Sequence, residues 1–170
     1  MSVSGITETR QYLTFKLDKE VFAVDVHKVR EILEMIPITR VPKTPDYMRG
    51  VINVRGSVVP VIDIRLKFGM SKTEKTVNTC IIVLEVMQKG EPIIVGALAD
   101  SVQEVFELAP ESIEPAPKIG TNLRLDFIKG IGKRDGEFSI ILDTEKILST
   151  DELREVISVG EPDVCAAASV

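Results

Sequence analysis

The sequence predicts a mainly β fold built from two similar subdomains, and three observations lead to this prediction. Valine and isoleucine occupy 40 of the 170 positions, and stiff β-branched side chains at this density favour pleated strands over helices. Alternating apolar and polar residues predict short strands separated by hairpin turns. The two halves of the chain also resemble each other, which predicts two equivalent units.

The internal repeat consists of three matches in the same order. GVINVRGSVVPVIDI at 50–64 matches GIGKRDGEFSIILDT at 130–144, so that glycines and an aspartate recur 80 residues later. Residues 29–32 are echoed at 102–105, an offset of 73, and residues 38–43 at 113–118, an offset of 75. Because the offsets differ only by loop-sized steps, we expect two similar subdomains rather than a chance coincidence.

The strands follow in order along the chain. Leu13, Phe15 and Leu17 alternate with polar residues, which predicts a strand with one buried face, and Asp18-Lys19 offers a turn before a second strand at 21–24. Three more hairpins are predicted, with turns at 88–90, 55–56 and 135–136 that each contain a glycine able to take positive φ. Their strands, listed in pairs, are 80–86 with 92–99, 51–54 with 58–62, and 128–131 with 138–142. Four to five mostly apolar strands per repeat predict two small barrels with buried edges.

Helices are predicted to be few and short. Asp25 can cap a helix in which Val26, Val29 and Leu33 fall at helical spacing, and Pro37 would end it. Asp63 and Asp143 each follow a strand and precede an amphipathic turn, at 64–68 and 144–148, as capping aspartates do.

The domain organisation predicted from these patterns is a single folded unit with flanking segments. Residues 1–9 are expected to be flexible, and residues 10–150 to form the domain, with repeats at about 11–75 and 76–150. A C-terminal helix is predicted at 151–158, where Asp151 and Glu152 complement the positive helix end. Residues 159–170, VGEPDVCAAASV, lack periodicity and are expected to be a disordered tail.

Composition excludes several classes of function. The net charge is −5 and there are only two Tyr, six Phe and no Trp, so the basic surface and stacking aromatics of a nucleic-acid binder are missing. No apolar run approaches the roughly 20 residues of a membrane helix, and no signal peptide is recognisable, which predicts a cytoplasmic protein. The charge is uneven, because residues 1–75 hold 13 Lys and Arg against 9 Asp and Glu, whereas residues 76–170 hold 8 against 17. This asymmetry could steer partner contacts, or could be a chance distribution of surface charge.

No catalytic or metal-binding set can be assembled from the sequence. His27 has no cysteine near it, and Cys80 and Cys165 lie far apart, so neither a zinc site nor a cofactor site is predicted. The run at 130–133 lacks the spacing and the following Ser or Thr of a phosphate loop. An acid and base pair of Asp63 and Asp143 is less consistent with their positions than two helix caps. The prediction is therefore a protein without catalysis and without a cofactor.

A family resemblance becomes specific at 50–65, the run GVINVRGSVVPVIDIR, which resembles the signature of the bacterial chemotaxis coupling protein family CheW. The agreement extends from about residue 11 to residue 148. It includes the opening QYLTFKL at 11–17, Val29-x-Glu31-Ile32, Pro42-x-x-Pro45, Gly96-x-x-x-Asp100, Val102-x-Glu104-Val105 and the closing IILD at 140–143. The family usually has Leu at the position of Val54, a conservative difference.

The resemblance implies two intertwined five-stranded SH3-like barrels, which agrees with the repeat. It also implies an adaptor that joins methyl-accepting chemotaxis receptors to the histidine kinase CheA. The regulatory domain of CheA has a similar fold and would associate with this protein through barrel ends. By the same resemblance the protein would be a monomer in isolation and part of receptor arrays in the cell, reaching the membrane only through its partners.

The resemblance also implies a binding site for the cytoplasmic hairpin tip of the receptor, in a groove between the barrels. The matching positions in this sequence are Val29, Glu31, Gly50, Asn53, Arg55 and Val105. A docked helix needs an apolar floor and a few polar contacts, which Val29 with Val105 and Glu31 with Arg55 could supply. On spacing alone, Asn53 could instead bond to the backbone of its own hairpin, and Arg55 could be an ordinary turn residue.

Two alternatives to the chemotaxis adaptor stay open. The first keeps the fold but places it in another chemosensory pathway, as a coupling domain like that of CheV without its receiver domain. The second is an enzyme or nucleic-acid module built on small barrels, which would require a cluster of titratable or basic and aromatic residues.

Overall fold

The computed structural model describes residues 8–88, 90–115 and 127–147. Eleven strands and one short α-helix form in this part of the chain. The strands of the first half are β1 (Arg10–Leu17), β2 (Glu20–Asp25), β3 (Val29–Glu34), β4 (Met48–Val54) and β5 (Ser57–Ile62), followed by helix α1 (Ile64–Lys67). Those of the second half are β6 (Cys80–Gln88), β7 (Glu91–Ala99), β8 (Ser101–Leu108), β9 (Ile113–Glu114), β10 (Ile128–Arg134) and β11 (Glu137–Leu142). The predicted C-terminal helix at 151–158, the tail at 159–170 and nearly all of the predicted flexible N-terminus at 1–9 lie outside the described residues.

The strands form two sheets, and each sheet takes strands from both halves of the chain. The six-stranded sheet has the order β8-β1-β2-β11-β10-β9, and the five-stranded sheet has the order β3-β6-β7-β5-β4. Parallel pairing of β2 with β11 joins the halves in the first sheet, and parallel pairing of β5 with β7 joins them in the second. The two subdomains are therefore intertwined, as the family resemblance implies.

The repeat found in the sequence is a repeat of strand register. In the β4–β5 hairpin Met48 pairs with Ile62, the register shifts, and Gly50 then pairs with Val61. Every pair of the β10–β11 hairpin lies 80 residues later, including the same shift between residues 128 and 130. The shared irregularity shows that the two hairpins are equivalent elements. The sheets differ by one strand because β9 has two residues, whereas the equivalent segment of the first half makes a single bridge between Thr39 and Val51.

The apolar core has three parts that follow from this architecture. Each sheet encloses a small cluster of its own, around Leu108 and Ile141 in one case and around Val61 and Ile81 in the other. A third and larger cluster contains buried residues from both sheets, such as Phe15 and Ile82, together with Ile147 from the segment that follows β11. The shared cluster joins the two subdomains, so the fold is mainly β with two SH3-like subdomains packed on a common core.

The prediction of a helix after Asp25 is wrong beyond its first turn. Residues Val26–Lys28 form one turn of 3-10 helix, whose cap is Asp25 accepting a hydrogen bond from the His27 amide. Residues 29–34 then form strand β3, paired with β6, in which partly buried and exposed side chains alternate. The spacing of Val29 and Leu33 fits a strand face as well as a helix face, and pairing with a strand from the other half of the chain decides between them.

The predicted capping role of Asp63 is confirmed. Its carboxylate accepts a hydrogen bond from the amide of Arg65 in the first turn of α1. It also accepts from the amide and the hydroxyl of Thr73, at 2.9 and 2.7 Å, and contacts Arg49. Asp63 is fully buried and therefore fixes both the helix and the segment that leads to the second half. Its equivalent, Asp143, accepts from the amide of Glu145 at the start of a turn.

Candidate interaction site

An ion pair between Arg55 and Glu31 joins the β4–β5 turn to strand β3. The Arg55 Nη1 atom lies 3.5 Å from Glu31 Oε2, and the Arg55 side chain is 82% exposed while that of Glu31 is 24% exposed. Glu31 points to the partly buried face of β3, which also carries Val29 and Leu33. The guanidinium therefore presents most of its donors to solvent while one of them contacts an anchored carboxylate.

The turn that carries Arg55 has an unusual backbone. Arg55 has φ of 52° and Gly56 has φ of 87°, the two positive values of a type I′ two-residue hairpin loop. The amide of Gly56 donates a hydrogen bond to Asn53 Oδ1 at 2.9 Å. Asn53 thus bonds to the backbone of its own hairpin, one of the two possibilities left open by the sequence, and its amide group holds the turn that displays Arg55.

A groove of about 530 Å³ surrounds this ion pair. Residues of β3, the β4–β5 hairpin, β6 and the start of β7 line it. Its apolar surface includes Val58, Pro60, Pro92 and Ile93, and its charged residues are Arg30, Glu31, Arg55 and Glu91. We call this surface the Glu31–Arg55 groove. It combines apolar contact area with paired charges, which suits a polypeptide partner.

The other residues predicted for the site are placed differently. Gly50 has φ of 143°, and a Cβ atom there would lie 2.1 Å from the Thr39 carbonyl oxygen, so the backbone itself requires glycine. Val29 is partly buried against the shared core. Val105 lies on β8 of the six-stranded sheet and is 51% exposed. The structure brings Glu31, Asn53 and Arg55 together at one end of the five-stranded sheet and places Val105 on the other sheet.

The second half carries a counterpart of the ion pair that sequence reasoning missed. Arg134 Nη1 lies 2.7 Å from Glu104 Oε1, and Glu104 is the repeat equivalent of Glu31. The arginine comes from the position equivalent to Val54, because Asp135 occupies the position equivalent to Arg55. The Arg134 guanidinium also lies 4.4 Å from the centroid of the Phe106 ring. The repeat of Glu31 at Glu104 was the available signal, but the shift of the arginine by one residue concealed the pair.

Exposed apolar side chains also occur in equivalent pairs. Ile32 and Val105 are equivalent at an offset of 73, and Val58 and Phe138 at an offset of 80, and all four are exposed, Phe138 to 63%. Exposed apolar residues at matching places on two subdomains point to two related contact surfaces. Ile32, Val58 and Phe138 were not among the predicted site residues, because exposed and buried apolar residues cannot be told apart in a single sequence.

Three further features of the described residues concern metal binding, the glycine-rich run and membrane insertion. Among the described residues no group of three His, Cys, Asp or Glu side chains is placed to hold a metal ion. The glycine-rich run at 130–133 lies within strand β10 instead of preceding a helix. In the part of the chain that the structure describes, no helix is long and apolar enough to cross a membrane.

Two intertwined SH3-like subdomains with an ionic groove and exposed apolar pairs define a protein-interaction module. Residues 11–152 match the protein-family model described as the CheW-like domain, and the chain belongs to this family. It is 36% identical over 159 residues to the chemotaxis protein CheW of Klebsiella aerogenes, an alignment that covers 94% of this chain and 93% of that protein. It is 35% identical over 143 residues to the probable chemotaxis protein CheW of Rhizobium etli, covering 84% and 90% of the two chains.

The fold agrees with that of a solved relative. The crystal structure of the scaffolding protein TtCheW from Thermoanaerobacter tengcongensis matches with a TM-score of 0.74 and 32% sequence identity. The match covers 84% of this chain and 90% of that chain. Likeness in sequence and in structure therefore extends over most of the domain and is not confined to the run at 50–65.

Proposed function

We propose that this protein is a non-catalytic cytoplasmic adaptor that couples methyl-accepting chemotaxis receptors to the histidine kinase CheA. The observation that carries the proposal is membership of the CheW family over nearly the whole domain, with relatives named as chemotaxis proteins. The exposed Glu31–Arg55 groove supports it, because an adaptor needs surfaces that bind polypeptides. The adaptor requires no cofactor and no nucleic acid, and it is a monomer until it joins a receptor array.

The receptor contact is proposed at Val29, Glu31, Gly50, Asn53, Arg55 and Val105. Arg55 offers a rigid fork of donors to the helical hairpin tip of the receptor, and Glu31 orients that fork. Asn53 and Gly50 act through the backbone, since one holds the turn and the other allows the close approach to Thr39. Val105 supplies exposed apolar area from the second subdomain.

The kinase contact is proposed to involve the regulatory domain of CheA, which shares this fold. Each contact is expected to be weak, because receptor arrays are held together by many linked contacts rather than by one tight complex. Recruitment of the kinase would then require receptors and adaptor at the same time.

Sedimentation of receptor-containing membranes tests this proposal. Purified CheA should sediment with the membranes only when this protein is present, and the amount should saturate as the protein is added. Recovery of CheA that is independent of this protein, or failure of the protein itself to sediment with the membranes, would contradict the adaptor function.

A matched pair of variants tests the placement of the receptor contact. Val105→Ala should weaken receptor binding by about 1 kcal/mol, roughly the value of the apolar area lost. Val77→Ala removes the same side-chain atoms from a residue that is 100% exposed and lies outside the proposed site, so receptor binding should be unchanged. If both variants weaken receptor binding equally and keep the native melting temperature, the receptor contact does not lie at Val105.

A further inference from the structure

A second groove lies between the segment that joins β3 to β4 and the segment that follows α1. It has a volume of about 820 Å³. Five cationic side chains line it, against one acidic side chain, Asp46. The cations are Arg40, Lys43, Arg49, Lys72 and Lys75. We call this surface the basic groove; it contains much of the positive charge that distinguishes the first half of the sequence.

Four of these five cations have no acidic partner among the described residues. Arg49 donates to the buried carboxylate of Asp63 and to the carbonyl of Thr73, so its charge is compensated. The other four are exposed, and none of them forms an ion pair within residues 8–88, 90–115 and 127–147. Clustered cations repel one another, so an acidic occupant would stabilise this surface.

The floor of the basic groove is apolar. Met35, Ile36, Ile38 and Leu66 line it and are only partly buried. An occupant that satisfies both features carries acidic residues and a few apolar side chains. A second cluster of cations surrounds the small polar cavity at Arg10 and Lys28. It does not need an acidic occupant, because Arg10 pairs with Asp25 and Lys28 pairs with Glu145.

The chain contains a segment with the required chemistry. Residues 151–164, DELREVISVGEPDV, hold five acidic residues and one arginine. Leu153, Val156 and Ile157 fall at spacings that place apolar side chains on one side of a helical segment. This segment follows the described part of the chain and has the opposite charge to the basic groove.

The segment also begins within reach of the groove. The last described residue, Ile147, is buried in the same apolar cluster as Met48, and Met48 lines the basic groove. With residues 151–158 helical at about 1.5 Å per residue and the other nine extended at about 3.3 Å per residue, residues 148–164 can span about 40 Å. Attachment to the same chain also gives the segment a high effective concentration at the groove, which allows a weak contact to be populated.

We propose that the basic groove binds the acidic C-terminal segment of its own chain, residues 151–164. The carboxylates pair with Arg40, Lys43, Lys72 and Lys75, and the apolar side chains cover Ile36, Ile38 and Leu66. The contact is electrostatic in large part, so salt weakens it. An acidic segment of any other protein that uses this surface must first displace residues 151–164. The inference does not depend on the adaptor function.

Paramagnetic relaxation in the full-length protein tests the proposal, because Cys165 lies one residue beyond the segment. Cys80 is buried, and burial raises the pKa of its thiol, so a thiol-reactive spin label should modify Cys165 selectively. We expect the amide signals of residues 36–46 and 72–75 to lose most of their intensity in the labelled protein and to recover it in high salt. A sample that mixes isotope-labelled protein with spin-labelled unlabelled protein should show no loss.

Charge-reversed variants complete the test. Lys72→Glu combined with Lys75→Glu should abolish the loss of intensity, whereas Lys19→Glu combined with Lys129→Glu, which changes two exposed lysines outside the groove, should preserve it. The proposal is overturned if the groove amides keep their intensity in the unmodified sequence, if both double variants behave alike, or if the loss also occurs in the mixed sample. The salt titration uses the unsubstituted sequence. It therefore tests whether residues 151–164 occupy the basic groove even if a variant fails to fold.

Discussion

Arg55 occupies a backbone position that suits its side chain poorly. Its φ of 52° is favourable for Asn, Asp or Gly, and the equivalent turn in the second half has Asp135 there, with φ of 51°. The glycine in this turn predicts positive φ at Gly56, and the structure shows positive φ at Arg55 as well. Arginine at this position has a cost in backbone energy, and its largely exposed side chain contributes little packing in return. The contacts that its side chain makes therefore account for the arginine, which favours a binding role.

Arg55→Asn should therefore separate stability from function. We expect the free energy of unfolding to rise by up to about 1 kcal/mol, since asparagine tolerates the left-handed conformation. Receptor binding should fall sharply, and Arg55→Lys should restore only part of it, because an ammonium lacks the planar fork of donors. Denaturant unfolding and receptor binding measured on the same three proteins provide the check. If a variant is destabilised but binds receptors at full strength, Arg55 acts only as a turn residue and not in binding.

Gly50 and Gly56 both have positive φ but differ in their surroundings. A Cβ at Gly50 would overlap the Thr39 carbonyl, whereas one at Gly56 meets no atom within 4 Å. Gly50→Ala should lower the free energy of unfolding by about 3 kcal/mol through strain and overlap, and Gly56→Ala by about 1 kcal/mol through strain alone. Urea unfolding of both variants tests this order. Equal losses would mean that β4 can shift away from Thr39.

At the scale of single residues, the family resemblance placed Glu31 and Arg55 in one predicted site, and the structure joins them in an ion pair. The pairing of Glu104 with Arg134 was not anticipated, because the repeat places Asp135 where an arginine would be expected. The arginine that pairs with Glu104 lies one position earlier in its turn than Arg55 does. Only the three-dimensional contacts reveal this shift, because a comparison of the two halves at a constant offset aligns Arg55 with Asp135.

Among the elements, hairpins were predictable and strand β3 was not. The turns at 55–56 and 135–136 carry their signal in two adjacent residues, so local chemistry determines them. Strand β3 pairs with β6, about 50 residues away, and its spacing of apolar residues fits a helix equally well. A pairing made at long range can override such a local pattern, and the pattern cannot reveal it.

Asp63 and Asp143 allow a matched test of how a capping aspartate acts. Both follow an equivalent strand, but Asp63 is buried and receives hydrogen bonds from Thr73 and Arg65, whereas Asp143 receives one from Glu145 and is only partly buried. Asp63→Ala should cost about 3 kcal/mol, because Arg49 and the Thr73 groups lose a buried partner. Asp143→Ala should cost about 1 kcal/mol, a typical loss for a cap. Similar melting temperatures for the two variants would contradict the anchoring role of Asp63.

Asp25, at the end of β2, should contribute to acid sensitivity. Burial of its carboxyl opposes ionisation, but hydrogen bonds from the His27 amide and Arg10 outweigh burial and lower the pKa of Asp25. The stabilisation is therefore complete above the unfolded value of about 3.9 and is lost as the pH falls through the lower folded pKa. Asp25→Asn keeps an acceptor for the His27 amide but removes the charge. Below pH 4 the free energy of unfolding of this variant, measured with urea, should vary less with pH than that of the parent. Parallel pH curves for the two proteins would exclude Asp25 as a source of the acid sensitivity.

For the whole molecule, the exchange of strands means that neither half is expected to fold alone. The six-stranded sheet combines β1 and β2 with β8 to β11, and the five-stranded sheet combines β3 to β5 with β6 and β7. The repeat predicted two similar units, and the strand pattern predicted their elements. Which strands share a sheet depends on long-range pairing. The exchange of strands between the two halves could therefore be predicted only from the family resemblance.

The most direct test of the adaptor function is the rate of CheA autophosphorylation in the presence of receptor-containing membranes. Adding this protein should raise the rate over that of kinase and receptors without it, and a receptor ligand should then change the rate. The Arg55→Asn variant should remain folded and produce little of the increase. If the parent protein binds neither kinase nor receptors and leaves the rate unchanged over a full range of concentrations, the account of this molecule as a coupling adaptor is contradicted.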